Sequence, residues 1–298
     1  MNKKIWLALI IGIIISILIF AIIYKPNNNH EQVNNSTKIV TSFYPICIMT
    51  SNIVENAPNV ELVNMTDKNV GCVHNYTLAT SDMRKIENAD IFIKNGLNLE
   101  GFMDNIISTY PNLKIIDSSI NIQNKIQEEE NVNPHIWTSI TNYINQVEEI
   151  SNKLCEYNSE NSNIYKTNTQ NYINKLNNLK EKYNNNLKHL NKKKAICLNE
   201  ALVYLAEEIK MEVTLVETHH EESTLSAETL KNLVDKIKSE NINIILVDIN
   251  DNLRNAQTLS NETGAKIYKL NSCLTGEDNI NSYINNMEQN LEILEQIQ

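Results

Sequence analysis

Hydrophobic and polar positions divide the chain into three regimes. The first runs from Ile5 to Tyr24 without a charged residue; Lys3 and Lys4 precede it, and Lys25 and the polar Pro26-Asn27-Asn28-Asn29 follow. Twenty residues at a helical rise span about 30 Å, the thickness of a bilayer core. Lysines on the leading side favour keeping that end in the cytoplasm and sending the rest across. The apolar core of a cleaved signal is shorter, about 7–15 residues, and ends in a small-x-small pattern that is missing here. The first cysteine, Cys47, comes too late to carry a lipid at the end of the run. The pattern therefore predicts a retained transmembrane anchor over residues 1–25 and a polar linker over 26–37.

In the second regime, apolar runs of strand length alternate with amphipathic stretches of helix length. The predicted strands are Ile39–Phe43, Val60–Val63, Ile91–Ile93 and Leu113–Ile116, then Ala195–Leu198, Glu212–Val216, Ile242–Val247 and Lys266–Leu270. A helix over Ser81–Asn88 would turn Met83 and Ile86 inward. Such alternation predicts an α/β fold of βα units around mostly parallel sheets. The third regime lies inside the long stretch between Pro134 and Gly264, which holds neither proline nor glycine. There Tyr165, Tyr172, Leu176, Leu179, Tyr183 and Leu187 recur at helical spacing, one face of a single long helix. The expected organisation is a lobe over 38–157, a linker helix over 158–190 and a second lobe over 195–298.

A formal net charge of -10 argues against nucleic acid as a partner and suits a protein that handles cations, although solubility explains it equally well. The five cysteines, Cys47, Cys72, Cys155, Cys197 and Cys273, are too few and scattered for a disulfide framework. No nucleophile–base constellation or phosphate loop indicates an enzyme. His219-His220-Glu221-Glu222 is not a zinc-hydrolase motif, because no second histidine stands four residues after His220. It reads as an exposed polar loop, as does Glu128-Glu129-Glu130.

Two histidines sit in more informative settings, Gly71-Cys72-Val73-His74-Asn75-Tyr76 and Asn133-Pro134-His135-Ile136-Trp137. Imidazole is the commonest protein ligand for transition metals, and a preceding proline stiffens the backbone that carries the ring. These strings belong to a longer series. It includes Thr41-Ser42-Phe43-Tyr44-Pro45, Ser81-Asp82, Ala89-Asp90-Ile91-Phe92-Ile93-Lys94-Asn95-Gly96, Glu200-Ala201-Leu202-Val203-Tyr204-Leu205-Ala206 and Glu262-Thr263-Gly264-Ala265-Lys266. From about Lys38 to its C-terminus the chain resembles the solute-binding proteins of zinc and manganese ABC transporters, whose two lobes are joined by one rigid helix.

The resemblance implies four metal-ligand positions in the cleft between lobes. They fall on His74, His135, Asn199 and Asn271, the last two in place of a histidine or glutamate and a carboxylate. Amide oxygens are neutral, hard donors that suit Ca²⁺ better than Zn²⁺. Glu200, beside Asn199, is the nearest carboxylate able to restore charge; its alternative role is a first-turn helix acid. Cys72, Cys197 and Cys273 each lie two residues from one of these positions, and residues two apart in extended chain point the same way. They are either thiols facing the cleft, free or paired in a disulfide, or small buried hydrophobes. The implied function is an extracytoplasmic receptor that delivers Zn²⁺ or Mn²⁺ to an ABC permease. The alternative is an adhesion or interaction protein on the same scaffold with weakened metal binding.

Overall fold

The computed structural model describes residues 36–68, 70, 76–127, 131–216 and 225–298. The anchor and most of the linker, Cys72, His74, Glu128–Glu130 and His219–Glu222 lie outside them. Among the described residues no helix is long and apolar enough to cross a membrane.

All eight expected strands form, in two sheets of four. The first contains β1 (Thr37–Thr41), β2 (Val60–Asn64), β3 (Ile91–Lys94) and β4 (Lys114–Asp117), in the order β2-β1-β3-β4. The second contains β5 (Lys194–Cys197), β6 (Glu212–Leu215), β7 (Ile244–Asp248) and β8 (Lys266–Leu270), in the order β6-β5-β7-β8. Every pairing is parallel. In both sheets the chain leaves the first strand toward one edge and returns to pair on its other side. The loops at the carboxyl ends of β1 and β3, and of β5 and β7, therefore diverge and open a crevice, the usual place for a ligand in parallel α/β sheets.

Helices cover the sheets: α1 (Tyr44–Val54), α2 (Thr80–Glu87), the short α3 (Asp104–Ile107) and α4 (Ile140–Tyr157) in the first half, then α5 (Ser162–Asn186). In the second half come α6 (Val203–Glu208), α7 (Ala227–Glu240), α8 (Arg254–Thr263) and α9 (Ser282–Glu295). Helix α5 is the long connector, and it buries the expected stripe of Tyr165, Tyr172, Leu176, Leu179 and Tyr183. It starts four residues later than the breaker-free stretch predicts. Asn158 interrupts the helix instead, with φ -131° and ψ 72° and a side chain that accepts from the Asn161 N–H. Asparagine offers the backbone such a local bond in place of helix, and an inventory of proline and glycine overlooks it.

One hydrophobic core joins the inner faces of both sheets to α4 and α5. Ile39, Phe43, Tyr143 and Leu176 belong to it together with Leu202, Leu246 and Leu291. Smaller clusters fill the outer faces. Tyr143 stacks on Tyr283 with centroids 3.6 Å apart, and the Tyr183 hydroxyl donates to the Met287 carbonyl at 2.6 Å. Hydrogen bonds cross the same boundary. Glu208 on α6 accepts from the Ser139 hydroxyl and, at 2.6 Å, from the Thr141 hydroxyl at the start of α4. The Trp137 indole N–H donates to the Ser272 carbonyl at 2.9 Å.

A turn after β3 sets the position of the crevice. Gly96 has φ +91°, and a Cβ there would lie 2.0 Å from Asp117 Oδ1 and 2.4 Å from Ser119 Oγ. Its N–H and that of Asn95 donate to Glu100, a fully buried carboxylate that also accepts from the Ser42 hydroxyl at 2.7 Å. Burial pushes the Glu100 carboxyl up, while these donors pull it back. Gly96→Ala is expected to destabilise the fold by about 1–3 kcal/mol, from left-handed strain plus the clash. An unchanged denaturant midpoint would contradict this account of the turn.

Candidate metal centre

His135 sits in the segment between β4 and α4, at the start of a 3₁₀ turn over Ile136–Thr138, and its side chain is 1% exposed. Asn133 Oδ1 accepts from the His135 backbone N–H at 2.9 Å and lies 3.0 Å from its Nδ1. Trp137 packs against the imidazole with ring centroids 5.1 Å apart. The other ring nitrogen, Nε2, lies 3.8 Å from Glu200 Oε1. Glu200 belongs to the other half of the molecule, where it opens a 3₁₀ turn directly after β5. Two metal bonds of about 2.1 Å each can span that gap, so a single ion fits between the two donors.

Asn199 precedes Glu200 and is engaged locally. Its Oδ1 accepts from the Ala201 N–H at 2.9 Å, capping the 3₁₀ turn, and its Nδ2 donates to both oxygens of Asp251 at 2.9 and 3.1 Å. Asp251 in turn accepts from the Asp248 N–H at 2.9 Å. Asn271 makes a similar local turn: its Oδ1 accepts from the Cys273 N–H at 2.7 Å, and Asn290 brackets its backbone N–H and carbonyl at 2.7 and 2.8 Å. Each amide oxygen already serves one backbone donor and keeps a single lone pair. Asp251 had no motif to reveal it; its only signal is its place in the loop after a parallel strand.

His74 itself lies outside the described residues, but the chain just beyond it is tethered. The Tyr76 hydroxyl donates to Asp82 Oδ2 at 2.8 Å, and burial together with that carboxylate pushes the phenol up to about 12. Asp82 also accepts from the Ala79 N–H at 2.9 Å, so it joins Tyr76 to the first turn of α2. Among the described residues no group of three or more His, Cys, Asp or Glu side chains is placed to hold a metal ion. They bring two donors together, His135 and Glu200.

Of the two readings of the cysteines, small buried hydrophobes describes Cys197 and Cys273. Both are buried and free. Burial pushes the Cys197 thiol up to about 12 and the Cys273 thiol higher still, which disfavours the thiolate in the metal-free chain. Each donates back to the carbonyl of a candidate asparagine, Cys197 to Asn199 at 3.1 Å and Cys273 to Asn271 at 3.8 Å. Cys72 lies outside the described residues.

Two parallel four-stranded βα sheets sharing a core, one long connecting helix and donors meeting between the halves define the fold of the solute-binding proteins of metal uptake. The chain belongs to the ZnuA family, described as zinc-uptake complex component A periplasmic, whose pattern matches residues 39–297. It is 27% identical over 294 residues to the zinc-binding lipoprotein AdcA of Streptococcus pneumoniae strain R6, covering 90% of this chain and 57% of that protein. To the high-affinity zinc uptake system protein ZnuA of Bacillus subtilis it is 26% identical, covering 86% of each chain. The crystal structure of the Zn(II)-bound ZnuA-like domain of S. pneumoniae AdcA superposes with a TM-score of 0.75 at 25% identity, over 88% of this chain and 98% of that one. The chain thus spans little more than half of AdcA. The relatives it resembles are named as zinc-binding and zinc-uptake proteins.

Proposed function

We propose that the protein captures a divalent transition metal, Zn²⁺ or Mn²⁺, outside the membrane and delivers it to an ABC permease, held to the bilayer by residues 1–25. The observation that carries this reading is the approach of His135 Nε2 to Glu200 Oε1 at 3.8 Å across the two halves. His74 is the third donor and Glu200 the negative one, so the set is two imidazoles and a carboxylate. That mixture suits Zn²⁺, and Mn²⁺ less tightly. Asn199 and Asn271 complete the cleft as neutral oxygens, each a weaker donor than the charged group it replaces. The functional units are the lobes 38–157 and 195–298 with the connector 158–190. A core shared by both lobes limits hinge opening, so release proceeds by small movements.

Metal content of the full chain, purified without added histidines, tests the proposal together with calorimetric titration of Zn²⁺ and Mn²⁺. Glu200→Gln keeps the shape of the side chain and removes its charge. It is expected to weaken Zn²⁺ binding by about 10–100-fold, the equivalent of roughly 1–3 kcal/mol. An unchanged affinity would remove Glu200 from the site. Failure of the natural chain to bind any transition metal would sink the receptor reading and favour an interaction protein on this scaffold.

A further inference from the structure

Asn133 touches both sides of the metal centre. Its Oδ1 faces the backbone N–H and the Nδ1 of His135, while its Nδ2 donates to the Glu200 carbonyl at 3.0 Å in the other half. Its own carbonyl accepts at 2.9 Å from the hydroxyl of Tyr204, on the helix that follows Glu200. That hydroxyl also receives the Ile126 N–H at 2.9 Å. These bonds permit one orientation of the amide. A flipped amide would set its NH₂ against the His135 N–H and its oxygen against the Glu200 carbonyl. With an oxygen facing Nδ1, the neutral imidazole carries its proton there, because a bare Nδ1 would oppose two lone pairs at 3.0 Å. The unprotonated nitrogen is then Nε2, which is turned toward Glu200.

We infer that Asn133 is the positioning residue of the centre: it holds His135 in the Nδ1–H tautomer and ties the Glu200 segment to it across the lobe boundary. The inference rests on the reading of this cleft as a metal site. An imidazole in water divides between two tautomers and rotates freely, and each freedom must be lost before the ring ligates an ion. Asn133 removes both in advance, as outer partners of ligating histidines do. It is itself fully buried, so it has no water to exchange for these bonds. In the sequence it is only the residue before Pro134; its reach to Glu200 exists only in the folded chain.

The test uses the full chain in mild detergent. Imidazole ¹⁵N NMR of the metal-free protein, in alkaline buffer where the ring is neutral, reports which nitrogen of His135 is protonated. Competition with a chromophoric chelator reports Zn²⁺ affinity, and thermal melting reports folding. The natural chain is expected to show Nδ1 protonated. Asn133→Ala removes the acceptor, so the tautomer preference is lost and Zn²⁺ affinity falls about 10–100-fold. Asn133→Asp keeps an acceptor oxygen on Nδ1 while a charged, non-donating oxygen replaces the donor to Glu200, so the neutral His135 ring stays in the Nδ1–H form. An Asn133→Ala chain that keeps the tautomer or the affinity overturns the inference, and so does an Asn133→Asp chain that loses the tautomer. If the alanine variant fails to fold, the aspartate variant decides. The tautomer is read without metal. A chain whose ring holds Nδ1–H yet binds no zinc would overturn the receptor function and leave the role of Asn133 in place.

Discussion

His135→Ala is expected to weaken Zn²⁺ binding by about 10²–10³-fold, and His74→Ala by a similar factor. The scale follows from structural zinc sites, where about 10–16 kcal/mol is shared among four ligands, or roughly 2.5–4 kcal/mol each. His135 should lie at the upper end. It is buried against Trp137, its Nδ1 is held by Asn133, and no neighbouring described imidazole stands ready to replace it. Calorimetry on folded variants checks the prediction. Binding that survives both alanine changes but vanishes when the thiols are blocked would assign the metal to cysteines, against the buried setting of Cys197 and Cys273.

Trp137→Ala is expected to cost about 3–5 kcal/mol of stability, a large share of the roughly 5–15 kcal/mol that holds a typical domain. The indole is fully buried, meets Phe43 edge-on at 5.1 Å and donates to the Ser272 carbonyl in the other half. Truncation leaves a cavity at the lobe boundary and an unpaired buried carbonyl together. Trp137→Phe keeps most of the packing and should cost only about 1–3 kcal/mol, the penalty of that orphaned acceptor. Equilibrium unfolding in denaturant separates the two variants; equal effects would show that the cross-lobe bond contributes nothing.

The elements of this protein were legible from its residues because each depends on neighbours a few positions away. Apolar runs of strand length located all eight strands, since the side chains a covered parallel sheet buries must be apolar. The stripe from Tyr165 to Tyr183 located α5, since only helical spacing brings those side chains to one face. The start of α5 at Ser162 was less legible, because Asn158 breaks the chain through a side-chain bond and not through backbone chemistry. His135 announced itself through Asn-Pro-His, whose stiffness is local.

Tertiary structure alone decided which donors meet. His135 and Glu200 are far apart in the chain, and their 3.8 Å approach depends on how two sheets pack onto one core. The same packing brings Asp251 to the amide of Asn199. It also buries Cys197 and Cys273, which strand alternation left free to face either way. Contacts of that kind arise from the burial of whole faces, a sum over dozens of side chains that no local motif contains. The sequence by itself determined the elements, their order and the Asn-Pro-His setting of His135; the shared core determined that Glu200 is the carboxylate it faces.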